Sequence, residues 1–124
     1  MNGLSGAAGA DSLIELRDSL RAFAADREWD QFHSPKNLSM ALAVEAGELL
    51  EHFQWISEEA SAELPPGSLV KVREELADVL LYLIRLADKL DVDLVDAGRY
   101  KIALNANKYP IEKSRGTSKK YTDL

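Results

Sequence analysis

Two stretches decide the fold of this chain: ALAVEAGELLEHFQW at residues 41–55 and VREELADVLLYL at residues 72–83. Each contains two acids three residues apart, which are Glu45 and Glu48 in the first and Glu75 and Asp78 in the second. On a helix, this spacing brings both carboxylates to the same side, about 5–6 Å apart at Cβ. A charged group among Leu, Val and Ala is costly to bury unless something compensates it.

Two such helices facing each other would bring four carboxylates together, where they would repel one another without a cation. Oxygen ligands of this kind suit Mg²⁺, with Mn²⁺ as a substitute, and Mg²⁺ is usually bound together with substrate phosphates. The spacing therefore predicts a metal site made of Glu45, Glu48, Glu75 and Asp78.

The rest of the chain also follows a helical pattern, and no alternation typical of strands competes with it. We predict an all-α fold with helices at residues 11–28, 35–54 and 68–90, a fourth that ends near Tyr109, and a short helical turn within residues 57–64. The start signals are a capping box at Ser12 and Glu15, the pair Ser34-Pro35, and caps at Ser68 and Asp93. The predicted domain spans residues 11–110, between a flexible lead-in at 1–10 and a polar, basic tail at 111–124.

Composition narrows the class of protein. At 124 residues, the chain has the length of one domain. Its formal net charge of −6 argues against non-specific nucleic-acid binding. It has no cysteine, which excludes disulfides and a thiolate nucleophile, and no apolar run as long as a membrane span. Since residues 1–10 also lack the features of a signal peptide, we expect a cytoplasmic protein that contacts neither membrane nor nucleic acid.

The third predicted helix is apolar on nearly every side. Its main apolar arc includes Leu69, Leu76 and Leu83, while Leu81 and Ile84 make the far side apolar too. A helix of this kind lies between neighbours on both sides. In a chain this short, we predict that one neighbour belongs to another subunit, so that the bundle is completed in a homo-oligomer.

Aromatic and basic residues indicate the rest of the ligand. Trp29, Phe32 and Trp55 lie in or next to the breaks between helices, where a flat base could stack on them. Lys101, Asn105 and Lys108 share one side of the fourth helix and could reach phosphates. We therefore predict that these three residues also bind the substrate. The acidic, aromatic and basic residues together predict a nucleoside polyphosphate substrate and metal-ion catalysis.

Several segments in order also resemble a known family. These segments are RDSLRAFAADREWDQFHSPKNLSMALAVEAGELLEHFQW, EELADVLLYLIRLA, NANKYP and SKKYTDL. They are similar to the MazG-related all-α nucleoside triphosphate pyrophosphohydrolases, and within these to the dCTP pyrophosphatase branch. The resemblance covers nearly the whole chain from Asp11 to Leu124.

The resemblance implies cleavage between the α and β phosphates, giving a monophosphate and pyrophosphate, with Mg²⁺ held by the same four acids. It implies a base pocket made of Trp29, Asp30, Gln31, Phe32, His33, Trp55 and Tyr82. Some relatives have a polar residue facing the base where this chain has Leu20. The resemblance further implies a dimeric or tetrameric bundle, a role in nucleotide-pool sanitation, and dCTP or a modified dCTP as the substrate.

Other interpretations of the same residues remain open. Solvent-facing helix surfaces account fully for Glu51 and Glu74. A redox di-metal bundle would need Glu-x-x-His on two helices, and neither acid pair is followed by such a histidine. The main alternative is a non-catalytic oligomeric interaction module, in which Trp29, Trp55 and Tyr82 are core or interface residues.

Overall fold

A computed structural model describes residues 6–124, and it confirms the prediction of an all-α fold. The helices are α1 (Gly6–Asp26), α2 (Pro35–Glu51), α3 (Glu58–Ala62), α4 (Pro66–Lys89), α5 (Leu94–Lys108) and α6 (Ile111–Ser114). Two 3₁₀ turns, Asp30–Phe32 and Tyr121–Asp123, complete the regular structure of this part of the chain.

No helix in residues 6–124 combines the length and the apolar character that crossing a membrane requires.

Three helices start at side-chain caps, and those at Ser34 and Asp93 were predicted. Ser34 Oγ accepts a hydrogen bond from Asn37 N at 3.1 Å, and Pro35 is the first helical residue of α2. Asp93 Oδ1 caps α5 in the same way, and Ser57 Oγ caps the short helix α3. These caps satisfy backbone N–H groups that have no partner within their own helix.

The start of α1 differs from the prediction. The helix begins at Gly6 instead of residue 11, so Ser12 lies inside it and does not cap it. The added residues include three alanines, which have the highest helix propensity, and two glycines, which have a low one. Residues 1–5 of the expected lead-in lie outside the described residues.

The start of α4 also differs. It begins at Pro66 with Pro65 as the preceding cap residue, so Ser68 is inside the helix. Proline tolerates the first helical position because the N–H that it lacks would have had no helical partner there. The Pro-Pro-Gly sequence therefore ends the preceding loop and also begins the helix.

The chain divides into two compact units, one ending at Asp91 and the other comprising Val92–Leu124. In the first unit, α4 packs against both α2 and α1. The buried apolar side chains of this unit are few and mostly small: Ala24, Leu38, Val72, Ile84 and Ala87. This small core positions the three long helices around the candidate site.

A row of leucines along α4 and at its C-cap remains exposed in the single chain. Leu69, Leu76, Leu83 and Leu90 recur every seven residues and are 38–54% exposed. Seven residues make about two helical turns, so the four side chains form one continuous line, which we call the leucine row.

The second unit contains α5, α6 and the C-terminal turn. The rings of Tyr109 and Tyr121 meet edge to face with centroids 5.9 Å apart, and Lys108 Nζ lies 4.9 Å from the Tyr121 ring centroid. Gly116 has a φ of 74°, a backbone conformation that glycine adopts without steric cost. The predicted basic tail is therefore folded back on the end of α5.

Candidate active site

Three of the four predicted acids converge between α2 and α4. Oxygen atoms of Glu45, Glu48 and Glu75 all lie within 4.8 Å of one another. Glu45 and Glu75 are half-buried and Glu48 is exposed. The convergence follows from the packing of α2 on α4, since each helix directs its acids toward the other.

This acid cluster is electrostatically unsatisfied. Burial, followed by the neighbouring Glu48 carboxylate, raises the pKa of Glu45 to about 7. Burial and Glu48 also raise the pKa of Glu75. Oε2 of Glu45 and Oε2 of Glu75 are buried without a hydrogen-bond partner among the described residues. Buried oxygens without donors, repelling one another, suit a hard divalent cation.

Asp78, the fourth predicted acid, occupies a different position. Its oxygens are not within the 4.8 Å group, although its charge contributes to the raised pKa of Glu45. Asp78 instead lines a cavity beside the cluster. It is therefore the side chain that connects the acid cluster to this cavity.

The cavity has a volume of about 270 Å³ and an apolar wall with a few polar groups. It is lined by Leu20, Phe23, Ala24, Trp29, His33, Asp78, Leu81, Tyr82 and Arg85. Pockets for drug-sized ligands usually have volumes of about 300–1,000 Å³. This cavity is therefore sized for a ring rather than for a whole nucleoside triphosphate.

A reversal of the chain after α1 brings Trp29 to the cavity. Glu28 has a φ of 55°, Trp29 N donates to Ala24 O, and Glu28 N donates to Ala25 O. This is the Schellman pattern, in which one residue in the left-handed conformation ends a right-handed α-helix. The Trp29 ring then meets the Phe23 ring edge to face, with centroids 5.7 Å apart.

Arg85 is the buried charge of the site, with 6% of its surface exposed. Its Nε donates to His33 Nδ1 at 3.1 Å, and its Nη2 donates to Asp30 Oδ1 at 2.5 Å. Its Nη1 lies 3.5 Å from Asp88 Oδ2. A buried guanidinium is tolerated when its donors meet carboxylates in this way.

The neighbours of Arg85 are themselves paired. Lys89 Nζ also binds Asp30, and the Lys89 hydrogen bond is the main reason why the pKa of Asp30 is lowered. Arg21 binds both oxygens of Asp88 and lowers the pKa of that carboxyl. Burial lowers the pKa of His33, and the positive charge of Arg85 adds to the effect.

Only some of the predicted base-pocket residues line the cavity. Trp29, His33 and Tyr82 line the cavity, as does Leu20. Four others are not among the lining residues: Asp30, Gln31, Phe32 and Trp55. The Asp30 carboxylate is engaged by Arg85 and Lys89, and Gln31 Nε2 donates to Glu28 O at 2.9 Å. Phe32 and Trp55 are 60% and 85% exposed.

Lys101, Asn105 and Lys108 all lie on α5 in the second unit. Within that unit, Lys108 is engaged with the Tyr121 ring. Their role in phosphate binding stays a prediction.

Sequence reasoning missed Arg85 and the pairing around it. The signal was a single basic residue within the apolar run LLYLIRLA, where a charge needs an explanation. It also missed Phe23 as part of the cavity wall.

Known proteins match the chain along most of its length. Residues 40–124 match the MazG-like family. The chain is 46% identical to dCTP pyrophosphatase 1 of Mus musculus, covering 91% of this chain and 68% of that protein, and 43% identical to the Homo sapiens protein over the same shares. It also resembles the crystal structure of a pyrophosphatase from Archaeoglobus fulgidus, with a TM-score of 0.76 and 40% identity, covering 80% of this chain and 93% of that one. The chain therefore belongs to the MazG-like family.

Proposed function

We propose that this protein is a nucleoside triphosphate pyrophosphohydrolase that converts dCTP, or a modified dCTP, into the monophosphate and pyrophosphate. The observation that carries the proposal is the position of Asp78, which lines a ring-sized cavity one helical turn from the Glu75 of the acid cluster. A base and its phosphates could occupy the two places together. The identity of 43–46% with proteins named dCTP pyrophosphatase 1 supports dCTP as the substrate.

The acids would hold Mg²⁺, with Mn²⁺ as a substitute. Glu45, Glu48 and Glu75 would supply ligands from the cluster, and Asp78 would complete the set from the cavity side. When bound, Mg²⁺ polarises phosphoryl oxygens and neutralises the charge that develops on them.

The chain's own residues would do the rest. A carboxylate oxygen of the cluster accepts a proton from the attacking water as the water oxygen bonds to phosphorus. The bridging bond between the α and β phosphates breaks, and pyrophosphate leaves. In the cavity, Trp29 and Tyr82 offer ring faces to the base and His33 offers a polar contact. The contacts predicted for Asp30, Gln31, Phe32, Trp55, Lys101, Asn105 and Lys108 stay predictions.

The protein would act as a homo-oligomer, a dimer or a tetramer. The leucine row on α4 supports this, because an exposed contiguous apolar line on a monomer marks an interaction surface. The small core of the first unit supports it as well, since Leu38 and Ile84 are the only buried apolar side chains as large as leucine among the described residues. A place in the cytoplasm and a role in nucleotide-pool sanitation complete the proposal.

An assay of pyrophosphate release over the common dNTPs and NTPs, with Mg²⁺ and with EDTA, tests the function. We expect Mg²⁺-dependent release of pyrophosphate, strongest with dCTP. Stepwise release of orthophosphate would contradict the reaction, and activity strongest on another base would contradict the substrate.

The leucine row also favours a second candidate, a non-catalytic oligomeric interaction module. That candidate predicts no pyrophosphate release and a melting curve that Mg²⁺ plus triphosphate leaves unchanged, because a ligand that binds only the folded state must stabilise it.

A further inference from the structure

We propose that Arg85 is a positioning residue that holds His33 as the imidazole with its hydrogen on Nε2, so that the cavity presents a hydrogen-bond donor to an acceptor atom of the base. The identity of the base rests on the proposed function. The relation between Arg85 and His33 does not, because it depends only on the contacts within the first unit.

The first step is the direction of the hydrogen bond. Arg85 Nε lies 3.1 Å from His33 Nδ1. A guanidinium has N–H donors and no acceptor, and it stays protonated in proteins. The Nδ1 atom must therefore offer its lone pair, which leaves the hydrogen of the neutral ring on Nε2.

The second step is the place of the other nitrogen. His33 lines the cavity, and its Nε2 makes no hydrogen bond to the protein within residues 6–124. Nε2–H is thus the donor that His33 has left for a ligand. The guanidinium beside Nδ1 also disfavours a charged ring, because a second positive charge would face the first.

The third step is what holds Arg85 in place. Asp30 accepts a hydrogen bond from Nη2, and Asp88 Oδ2 lies 3.5 Å from Nη1. The side chain of Arg85 is only 7% exposed, so these carboxylates are its main compensation. These contacts orient the guanidinium group of Arg85 so that its Nε is directed at His33.

The consequence is a preference among ring edges. Cytosine has an acceptor at N3 where uracil has a donor, while both rings have an acceptor at O2, so the preference arises from a contact of Nε2–H with N3. A histidine free to change tautomer could accommodate either edge, but a fixed Nε2–H selects an acceptor. A site that hydrogen-bonds its ligand in a defined direction discriminates because the wrong partner leaves a buried polar group unpaired.

The direct test is ¹⁵N NMR of His33 in the wild-type protein without substrate, at a pH well above the usual histidine pKa of about 6.5. We expect the chemical shifts of an imidazole protonated at Nε2 and unprotonated at Nδ1. Addition of dCMP, the expected product, should move the Nε2 signal more than the Nδ1 signal. A wild-type His33 with its hydrogen on Nδ1 would overturn the proposal without any variant.

Arg85→Met supplies the second test, with Arg85→Lys as the variant that keeps a positive charge if the first does not fold. Both remove the Nε donor, and Arg85→Met leaves no side-chain donor at this position, so His33 of that variant should show a mixture of tautomers. For dCTP, KM should rise roughly twofold, because an equal mixture leaves the Nε2 donor on about half of the His33 rings, while kcat stays nearly constant because the acids are untouched. The preference for cytosine over uracil should shrink by a similar factor.

Arg21→Gln is the matched control. It removes a guanidinium from the same ion-pair network, but Arg21 contacts Asp88 and has no contact with His33. We expect it to keep the tautomer, KM and base preference of the wild type. An Arg85→Met protein that behaves like Arg21→Gln would refute the positioning role.

Failure of the proposed function would look different. A wild-type protein that releases no pyrophosphate refutes the function, while the tautomer, read without turnover, still decides the relation between Arg85 and His33.

Discussion

Glu45 and Glu75 approach each other from α2 and α4, and each has its Oε2 atom buried without a hydrogen-bond partner in the described part of the chain. An unsatisfied buried oxygen is costly, and here two of them share one location with a third carboxylate, that of Glu48. Without a cation, this arrangement opposes folding. The acids therefore serve something other than the stability of the bundle.

Glu48→Gln should lower pyrophosphate release by roughly 100-fold or more, a loss typical for the removal of one group that stabilises developing charge. Because the change also removes a mutually repelling charge, the metal-free protein should melt at the same or a higher temperature. Kinetics and thermal melting in EDTA measure the two effects.

Glu74→Gln is the control for this variant, since Glu74 is an exposed neighbour of Glu75 outside the cluster. It should leave turnover and melting unchanged. A Glu48→Gln protein that is less stable than the wild type would indicate that Glu48 has a structural partner.

Mg²⁺ alone should stabilise the wild-type protein. A ligand present at about 100 times its Kd adds about 2.7 kcal/mol to the free energy of unfolding, which for a chain of this size raises Tm by roughly 5–20 °C. Differential scanning calorimetry with and without Mg²⁺ measures the shift. The Glu48→Gln protein should show a much smaller shift, and equal shifts in both proteins would place the ion elsewhere.

Trp29→Ala should raise KM for dCTP by roughly 5- to 150-fold, because the stacking of a base on an aromatic ring contributes about 1–3 kcal/mol. The acid cluster does not include Trp29, so kcat should change much less. Steady-state kinetics separate the two constants.

Trp55→Ala is the informative comparison, because Trp55 is exposed and does not line the cavity of the single chain. An equal rise in KM would assign Trp55 to the base as well. An unchanged KM in the Trp29 variant would show that the base does not bind in this cavity.

Asp88→Asn should weaken the dependence of stability on pH in acid. Arg21 holds the pKa of Asp88 below its ordinary value of 3.8, so the folded state favours the charged carboxylate. The stabilisation is complete above pH 3.8 and is lost as the pH falls through the lowered pKa of the folded state.

Urea unfolding between about pH 5 and pH 2 measures this effect. The free energy of unfolding of the wild type should fall more steeply with decreasing pH than that of Asp88→Asn. Identical slopes would mean that the pair between Arg21 and Asp88 does not persist in solution.

Leu76→Glu should reduce the oligomeric mass, because it places a charge in the middle of the leucine row. Val70→Glu is the control, since Val70 is equally exposed on α4 but lies about 100° around the helix from Leu69. Light scattering of both variants and the wild type measures the assembly. A wild-type protein that is already monomeric would refute the proposed oligomer.

Local chemistry could be predicted from the sequence. Contacts between distant segments could be predicted only in part. The caps at Ser34 and Asp93 were predictable because they depend on residues three positions apart. The pairing of Glu45 with Glu75 was predictable because two apolar helices with acids must face each other to hide their surfaces.

The contact between Arg85 and His33 joins residues that are 52 positions apart, and no periodicity connects them. It depends on the rotation of α4 and on the chain reversal at Glu28, neither of which the residue pattern expresses. The position of Asp78 was unpredictable for the same reason, since a few degrees of rotation decide whether an acid joins the cluster or the cavity wall.

The leucine row runs along the helix that also carries Glu75 and Asp78. Leu76 directly follows Glu75, so any partner that packs on Leu76 and turns α4 also turns the carboxylate beside it. The specific activity should then rise with protein concentration and fall on dilution. A substitution on the outer side of α4 would then change turnover, although it lies far from any phosphate.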